Sequence, residues 1–146
     1  MKRTYKHRFS VAAPTEAVAN FHSDTRALRL LTPMPVQFNV VEPLAEGSRA
    51  DFTLWAGPIP IRWVALHTNV SQLHGFEDSQ ERGPFEFWHH KHSFMAIDDQ
   101  FTEVIDEIES QFGNGLVNGL ISRLMWWSLP LLFSFRSWRT KLELKK

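Results

Sequence analysis

The chain opens on an alternation. Tyr5, His7, Phe9 and Val11 fall on one side and Lys6, Arg8 and Ser10 on the other, which predicts a half-buried strand over residues 4–12. Ala13-Pro14-Thr15-Glu16 then has the chemistry of a helix start, with proline at or near the first position, and Val18, Ala19 and Phe21–His22 give that helix an apolar side. Asp24 is placed to cap a second short helix over Thr25–Leu31, which Pro33 and Pro35 stop.

From residue 36 to residue 111 the period is two. Strands are predicted at Val36–Glu42, Arg49–Trp55, Ile59–Ser71 and Phe101–Gln111, separated by Pro43–Gly47, Gly57-Pro58 and Asp98-Asp99. Between them lies the least ordinary stretch, Phe76–Phe94, two strands joined by Arg82-Gly83-Pro84. Phe76, Asp78 and Gln80 share one face of its first strand; Trp88, His90, His92 and Phe94 share one face of its second. Rings and imidazoles together suit a cavity wall better than a dry core. His89 and Lys91 alternate outward, with Phe85 and Phe87 on the same side, and Arg62 has the opposite parity to Trp63. On the last strand Glu103, Glu107 and Glu109 read as a solvated side.

After Gly113-Asn114-Gly115 the period changes to that of a helix over Leu116–Lys141, with Pro130 predicting a kink or a break. Leu116, Leu120, Leu124, Trp127 and Leu131 form a stripe expected to press on the sheet, but Leu124–Phe135 is apolar nearly all round. Asn118, Arg123 and Pro130 interrupt a membrane-spanning reading. The basic residues Arg136, Arg139, Lys141, Lys145 and Lys146 fit a helix resting on a membrane surface. Spare rings lining a pocket or a homodimer contact are the other account.

Sixteen basic residues balance sixteen acidic ones in a chain of 146, so no nucleic-acid surface is expected. Cysteine is absent, which removes disulfides, thiolate nucleophiles and cysteine zinc sites and fits a reducing compartment. The polar N-terminus does not read as a signal peptide, and no linker or repeat divides residues 1–146 into more than one domain, so the expected location is cytoplasmic. Twelve Phe and six Trp in so short a chain either fill a core or line a pocket for an apolar ligand.

The order strand, two small helices, six strands, long helix resembles the helix-grip fold of the START-like superfamily, with the pollen allergens and polyketide cyclases. Within it the chain is similar to bacterial stand-alone ligand-binding domains of the polyketide cyclase/dehydrase-like type. The resemblance is carried by Val11–Pro14, Phe21–His22, Leu31–Val36, Pro58–Trp63 and the F-x-D-x-Q-x-x-G-P-F-x-x-W-x-H-x-H-x-F run from Phe76 to Phe94. It implies an α+β fold, a curved antiparallel sheet of six or seven strands around a C-terminal helix kinked near Pro130. It also implies a cavity between the two, and Asp106 matches the family's acidic position on the last strand. The family's tyrosine shortly afterwards is replaced by Ser110, so the pocket near the final helix is expected to differ.

Three chemistries are open. A small hydrophobic ligand such as a lipid, quinone or aromatic polyketide would be bound by Trp63, Phe76, Asp78, Gln80, Trp88, His90, His92, Phe94, Leu120 and Trp127, and this non-enzymatic reading leads. A cyclase or dehydratase would use His90 or His92 oriented by Asp78 or Asp106. Two imidazoles at His90-x-His92 would start a metal site, but no later histidine exists, and His67, His74 and Asp98 stand at the wrong offsets. No cofactor or metal is therefore expected. His22 reads as a helix-packing residue, and no phosphate loop or nucleophile elbow is present.

Overall fold

A computed structural model describes residues 1–24 and 26–145. Seven strands form one antiparallel sheet: β1 (Arg3–Val11), β2 (Val36–Val41), β3 (Arg49–Ala56), β4 (Ile59–Ser71), β5 (Gly75–Arg82), β6 (Phe87–Ala96) and β7 (Thr102–Gln111). Their order across the sheet is β1-β7-β6-β5-β4-β3-β2, so the first strand closes onto the last and the rest is a meander. Two helices, α1 (Thr15–Ser23) and α2 (Ala27–Leu30), follow β1, and α3 (Leu116–Leu144) ends the chain. The cap proposed at Asp24 accepts hydrogen bonds from the backbone and side chain of Arg26, while Thr25, the predicted start of α2, lies outside the described residues.

The alternation of β1 sets its face. Lys2, Lys6 and Arg8 pair with Glu109, Glu107 and Glu103 of β7 on the outer side, each pair too exposed to contribute much on its own. Tyr5 and Phe133 meet on the inner side, at 5.6 Å between ring centroids. Arg62 likewise lies outside, paired with Asp51. The inner face carries two apolar clusters. One is built on β2–β4 with Phe85, Trp88, Leu129 and Phe133; the other gathers Val11, Val18 and Ala19 around Phe94 and Val104.

α3 runs through Pro130 unbroken; the carbonyl four residues back loses its donor, but Pro130 sits on the exposed side, where water can replace it. One expectation about this helix needs correction. The stripe expected to press on the sheet faces away from it: Leu116, Leu120, Leu124, Trp127 and Leu131 are all exposed. The gripping face is Ser122, Leu129, Phe133 and Thr140, with Gly119 at its start. A helix apolar nearly all round offers two stripes, and periodicity cannot say which one a sheet will take.

Gly75, at φ +118°, starts β5, and a Cβ there would run into the backbone carbonyl of His92. The two strands are thus locked at close approach where the register pairs Phe76 with His92 and Asp78 with His90.

Candidate functional site

A cavity of about 540 Å³ lies between the inner face of the sheet, the segment around α2 and the gripping face of α3. Trp63, Phe76, Asp78, Trp88, His90 and His92 line it, as do Ala50, Phe52 and Leu54 from β3. Its wall is mostly apolar, and the polar groups cluster where β5, β6 and β7 run side by side.

That cluster follows from register. Asp78 lies opposite His90 across β5–β6, and His92 lies opposite Asp106 across β6–β7, so four titratable side chains come to one face of three adjacent strands. His90 donates from Nε2 to Asp106 Oδ1 at 2.9 Å, and His92 Nδ1 forms an ion pair with the same oxygen at 3.0 Å. His92 also donates from Nε2 to Asp78 Oδ2, at 3.0 Å. The two imidazoles lie with centroids 3.6 Å apart, and Phe76 stacks on His92 at 4.6 Å.

Electrostatics divides the histidines. Burial would lower the pKa of His92, but its bonds to Asp106 and then Asp78 outweigh that and push it up to about 9. His90 goes down, because burial and the neighbouring His92 cation outweigh its bond to Asp106. Burial would raise both carboxyls; the hydrogen bonds from the imidazoles nevertheless hold Asp106 and Asp78 below the usual carboxylate range. At neutral pH the group is therefore two carboxylates, one imidazolium at His92 and one neutral imidazole at His90.

The other predicted residues go elsewhere. Gln80 does not reach the cavity: its amide donates to the Phe85 carbonyl at 2.7 Å and accepts from the Phe85 N–H at 3.1 Å. Pairing of β5 with β6 ends at Ser79, so Gln80 satisfies the backbone that the irregular connection leaves open. Phe94 is buried in the second cluster, 4.9 Å from the His22 ring, because α1 covers that end of β6. Leu120 and Trp127 point outward, on the exposed stripe of α3. Phe85, expected outside, is buried against Trp63 and Trp88, since β6 begins only at Phe87 and strand parity does not apply before it. His89 does face out, paired with Glu77 at 2.8 Å.

Three further residues belong to the wall, of which only His67 falls in a strand pattern, two residues beyond Ala65 on β4. His22 lines the cavity as well as packing; burial pushes its pKa down to about 4, against its bond to the Val18 carbonyl. His67 shares the wall and hydrogen-bonds the Ser48 hydroxyl at 3.1 Å. Arg136, read from sequence as part of a basic tail, reaches the cavity and donates to the Leu31 carbonyl. Its place three residues after Phe133, within an apolar run, is the only hint the sequence holds.

No protein-family model matches this chain, and no curated protein matches it by sequence. Solved structures do. The Zhui aromatase/cyclase of a Streptomyces species superposes with a TM-score of 0.80 at 14% identity, over 99% of this chain and 94% of that one. This chain has the helix-grip fold. A START superfamily protein from Mycobacterium smegmatis gives 0.70 at 13% identity, covering 95% of this chain and 97% of that one. The norcoclaurine synthase of Thalictrum flavum, solved with dopamine and hydroxybenzaldehyde, gives 0.68 at 16% identity, over 99% and 88%. At these identities the shared property is the helix-grip architecture of seven strands and a long final helix.

Proposed function

We propose that the protein binds a small hydrophobic ligand, with a ring or acyl body and at least one oxygen substituent, between the sheet and α3. The observation that supports this most directly is the cavity of about 540 Å³, within the size range of small-molecule sites, with aromatic walls and one polar corner. Burial of the ligand body against Trp63, Trp88 and Phe76 supplies affinity, and the Asp–His corner orients the oxygen. Neighbours in structure include a protein solved with dopamine and hydroxybenzaldehyde, which supports an occupant of that kind. Native mass spectrometry of the purified protein, with extraction of bound small molecules, tests the reading. A stoichiometric apolar adduct that quenches tryptophan fluorescence supports it; binding of such compounds unaffected by changes to the cavity wall refutes it.

The same corner favours a second reading, a cyclase or dehydratase. The proton shared by His92 Nε2 and Asp78 Oδ2 stands at the cavity wall, and neutral His90 has a lone pair at Nδ1. A β-hydroxy ketone could lose its α-proton to His90 Nδ1 while its hydroxyl leaves with the proton from the His92–Asp78 pair, giving an enone and water. Turnover of such a ketone that survives His92→Gln would remove this reading.

The exposed stripe of α3 supports a contact with a membrane, from which such a ligand could be drawn. Leu116, Leu120, Leu124, Trp127 and Leu131 are solvent-facing, with Arg123 exposed among them. By length and composition alone α3 also passes for a membrane span, with 22% of its apolar window buried. Co-sedimentation with anionic vesicles, lost on replacing Leu120 and Trp127 by Ser, tests the surface contact; a dimer through the same stripe would appear instead as a shift in sedimentation velocity without vesicles.

A further inference from the structure

The polar corner contains a gap that hydrogen bonding does not close. His90 Nε2 is committed to Asp106, which leaves its Nδ1 turned towards Asp78 Oδ2 at 4.0 Å. Among the described residues Nδ1 makes no hydrogen bond, and it belongs to a side chain that lines the cavity. With Nε2 carrying the proton, both groups facing across that 4.0 Å are acceptors, and no donor stands between them. On the third side is His92 Nε2, 3.0 Å from the same Asp78 oxygen.

We propose that Asp78, His90 and His92 bind a divalent cation of the zinc class. Ligand atoms from the three lie within 4.8 Å of one another. Tetrahedral coordination with bonds of about 2.0–2.1 Å needs ligand atoms about 3.3 Å apart, so the observed 3.0 and 4.0 Å, with the third pair within 4.8 Å, call for side-chain shifts of at most about 1.5 Å. Two neutral nitrogens and one carboxylate suit Zn²⁺, Co²⁺ or Fe²⁺ better than Mg²⁺ or Ca²⁺, which prefer all-oxygen sets. A cation here takes the place of the proton between His92 Nε2 and Asp78 Oδ2, and that proton leaves to solvent.

Asp106 then acquires a definite task. Its Oδ1 accepts from the far nitrogen of His90 and pairs with that of His92, the kind of arrangement that fixes tautomer and ring orientation in metal-binding imidazoles. This third ligand is invisible in the spacing of His90-x-His92, because Asp78 comes from the neighbouring strand through the register that sets it opposite His90. Three protein ligands leave a coordination position, and the cavity beside them admits an oxygen donor such as a carbonyl, phenolate or carboxylate. The site does not depend on the ligand reading above, because the metal alone is the probe.

Untagged full-length protein would be stripped with chelator, equilibrated with Zn²⁺ or Co²⁺, and passed through a desalting column. The expected result is one retained ion per chain and, for cobalt, the intense visible absorption of a four-coordinate site. Asp78→Asn and His90→Gln lose both; Asp106→Asn weakens retention by about 10–100-fold while leaving the stoichiometry. Circular dichroism distinguishes lost metal from lost fold, and if a variant unfolds, the wild-type stoichiometry and cobalt spectrum still decide. No retained ion in the wild type, or equal retention in folded Asp78→Asn and His90→Gln, overturns the proposal.

Discussion

Asp106 Oδ1 holds two imidazoles at 2.9 and 3.0 Å, yet they titrate in opposite senses, because burial and the His92 cation outweigh the Asp106 bond at His90 whereas His92 is held by both Asp106 and Asp78. One proton is enough to satisfy the pair of carboxylates, and His92, bonded to both, takes it. The consequence is a stability maximum near neutral pH in chelator-treated protein. His92 titrates at about 9 in the fold and at about 6.5 unfolded. Its contribution is therefore complete below about pH 6.5 and is lost as pH rises through about 9, an effect of roughly 3 kcal/mol. His22, lowered to about 4, works in the other direction: the unfolded chain takes up its proton first, so stability falls as pH drops from about 6.5 towards 4. His90, also lowered, adds to that acid limb. Urea unfolding at pH 5, 7 and 9 should give the highest stability at about 7, and His92→Gln should flatten the limb between about 7 and 9. An unchanged alkaline limb in that variant would show that His92 is not the residue holding the proton.

At the scale of elements, α3 has an inside and an outside that its composition conceals. Phe133 is 2% exposed and touches Tyr5, His7 and His90, whereas Leu124 and Trp127 on the opposite side are 55% and 66% exposed. Phe133→Ala should cost about 3–5 kcal/mol in denaturant unfolding. Leu124→Gln and Trp127→Gln should each stay within about 0.5 kcal/mol. Comparable losses at all three positions would mean that the outer stripe is covered in solution, by a second copy for example. The strands were legible for the opposite reason. A half-buried strand has one polar side, and Lys6, Arg8, Glu103, Glu107 and Glu109 declare which side that is. In α3 only Arg123 and the residues after Phe135 carry charge, so nothing local marks the solvent face.

For the whole molecule, the interior is what matters: a hollow rather than a filled core. Ala50 and Ala65 line it from adjacent strands, and both are small where the sheet could have carried larger residues. Ala65→Phe should fill part of the volume at a cost of at most about 1–3 kcal/mol. An apolar fluorescent probe such as anilinonaphthalene sulfonate should bind the wild type and bind this variant at least about tenfold more weakly, the loss of about 1.4 kcal/mol or more. Undiminished probe binding would place the probe on the exposed stripe of α3 instead of in the interior.

The sequence by itself determined the order of elements, the inward parity of β4, β5 and β6, and the presence of Trp63, Phe76, Asp78, Trp88, His90 and His92 on one side of the sheet. Period-two alternation is a local property, readable wherever one face is wet. Tertiary structure alone decided which partners these side chains meet. Asp78 reaches His90 and Asp106 reaches His92 only through inter-strand register, and Gln80 leaves the cavity because pairing stops one residue before it. Leu120 and Trp127 were lost to the outer surface, while Arg136 and His22 were brought to the wall, because helix orientation is set by what the sheet has room to bury. Contacts between distant segments depend on the closure of the whole fold, and no spacing along the chain encodes them.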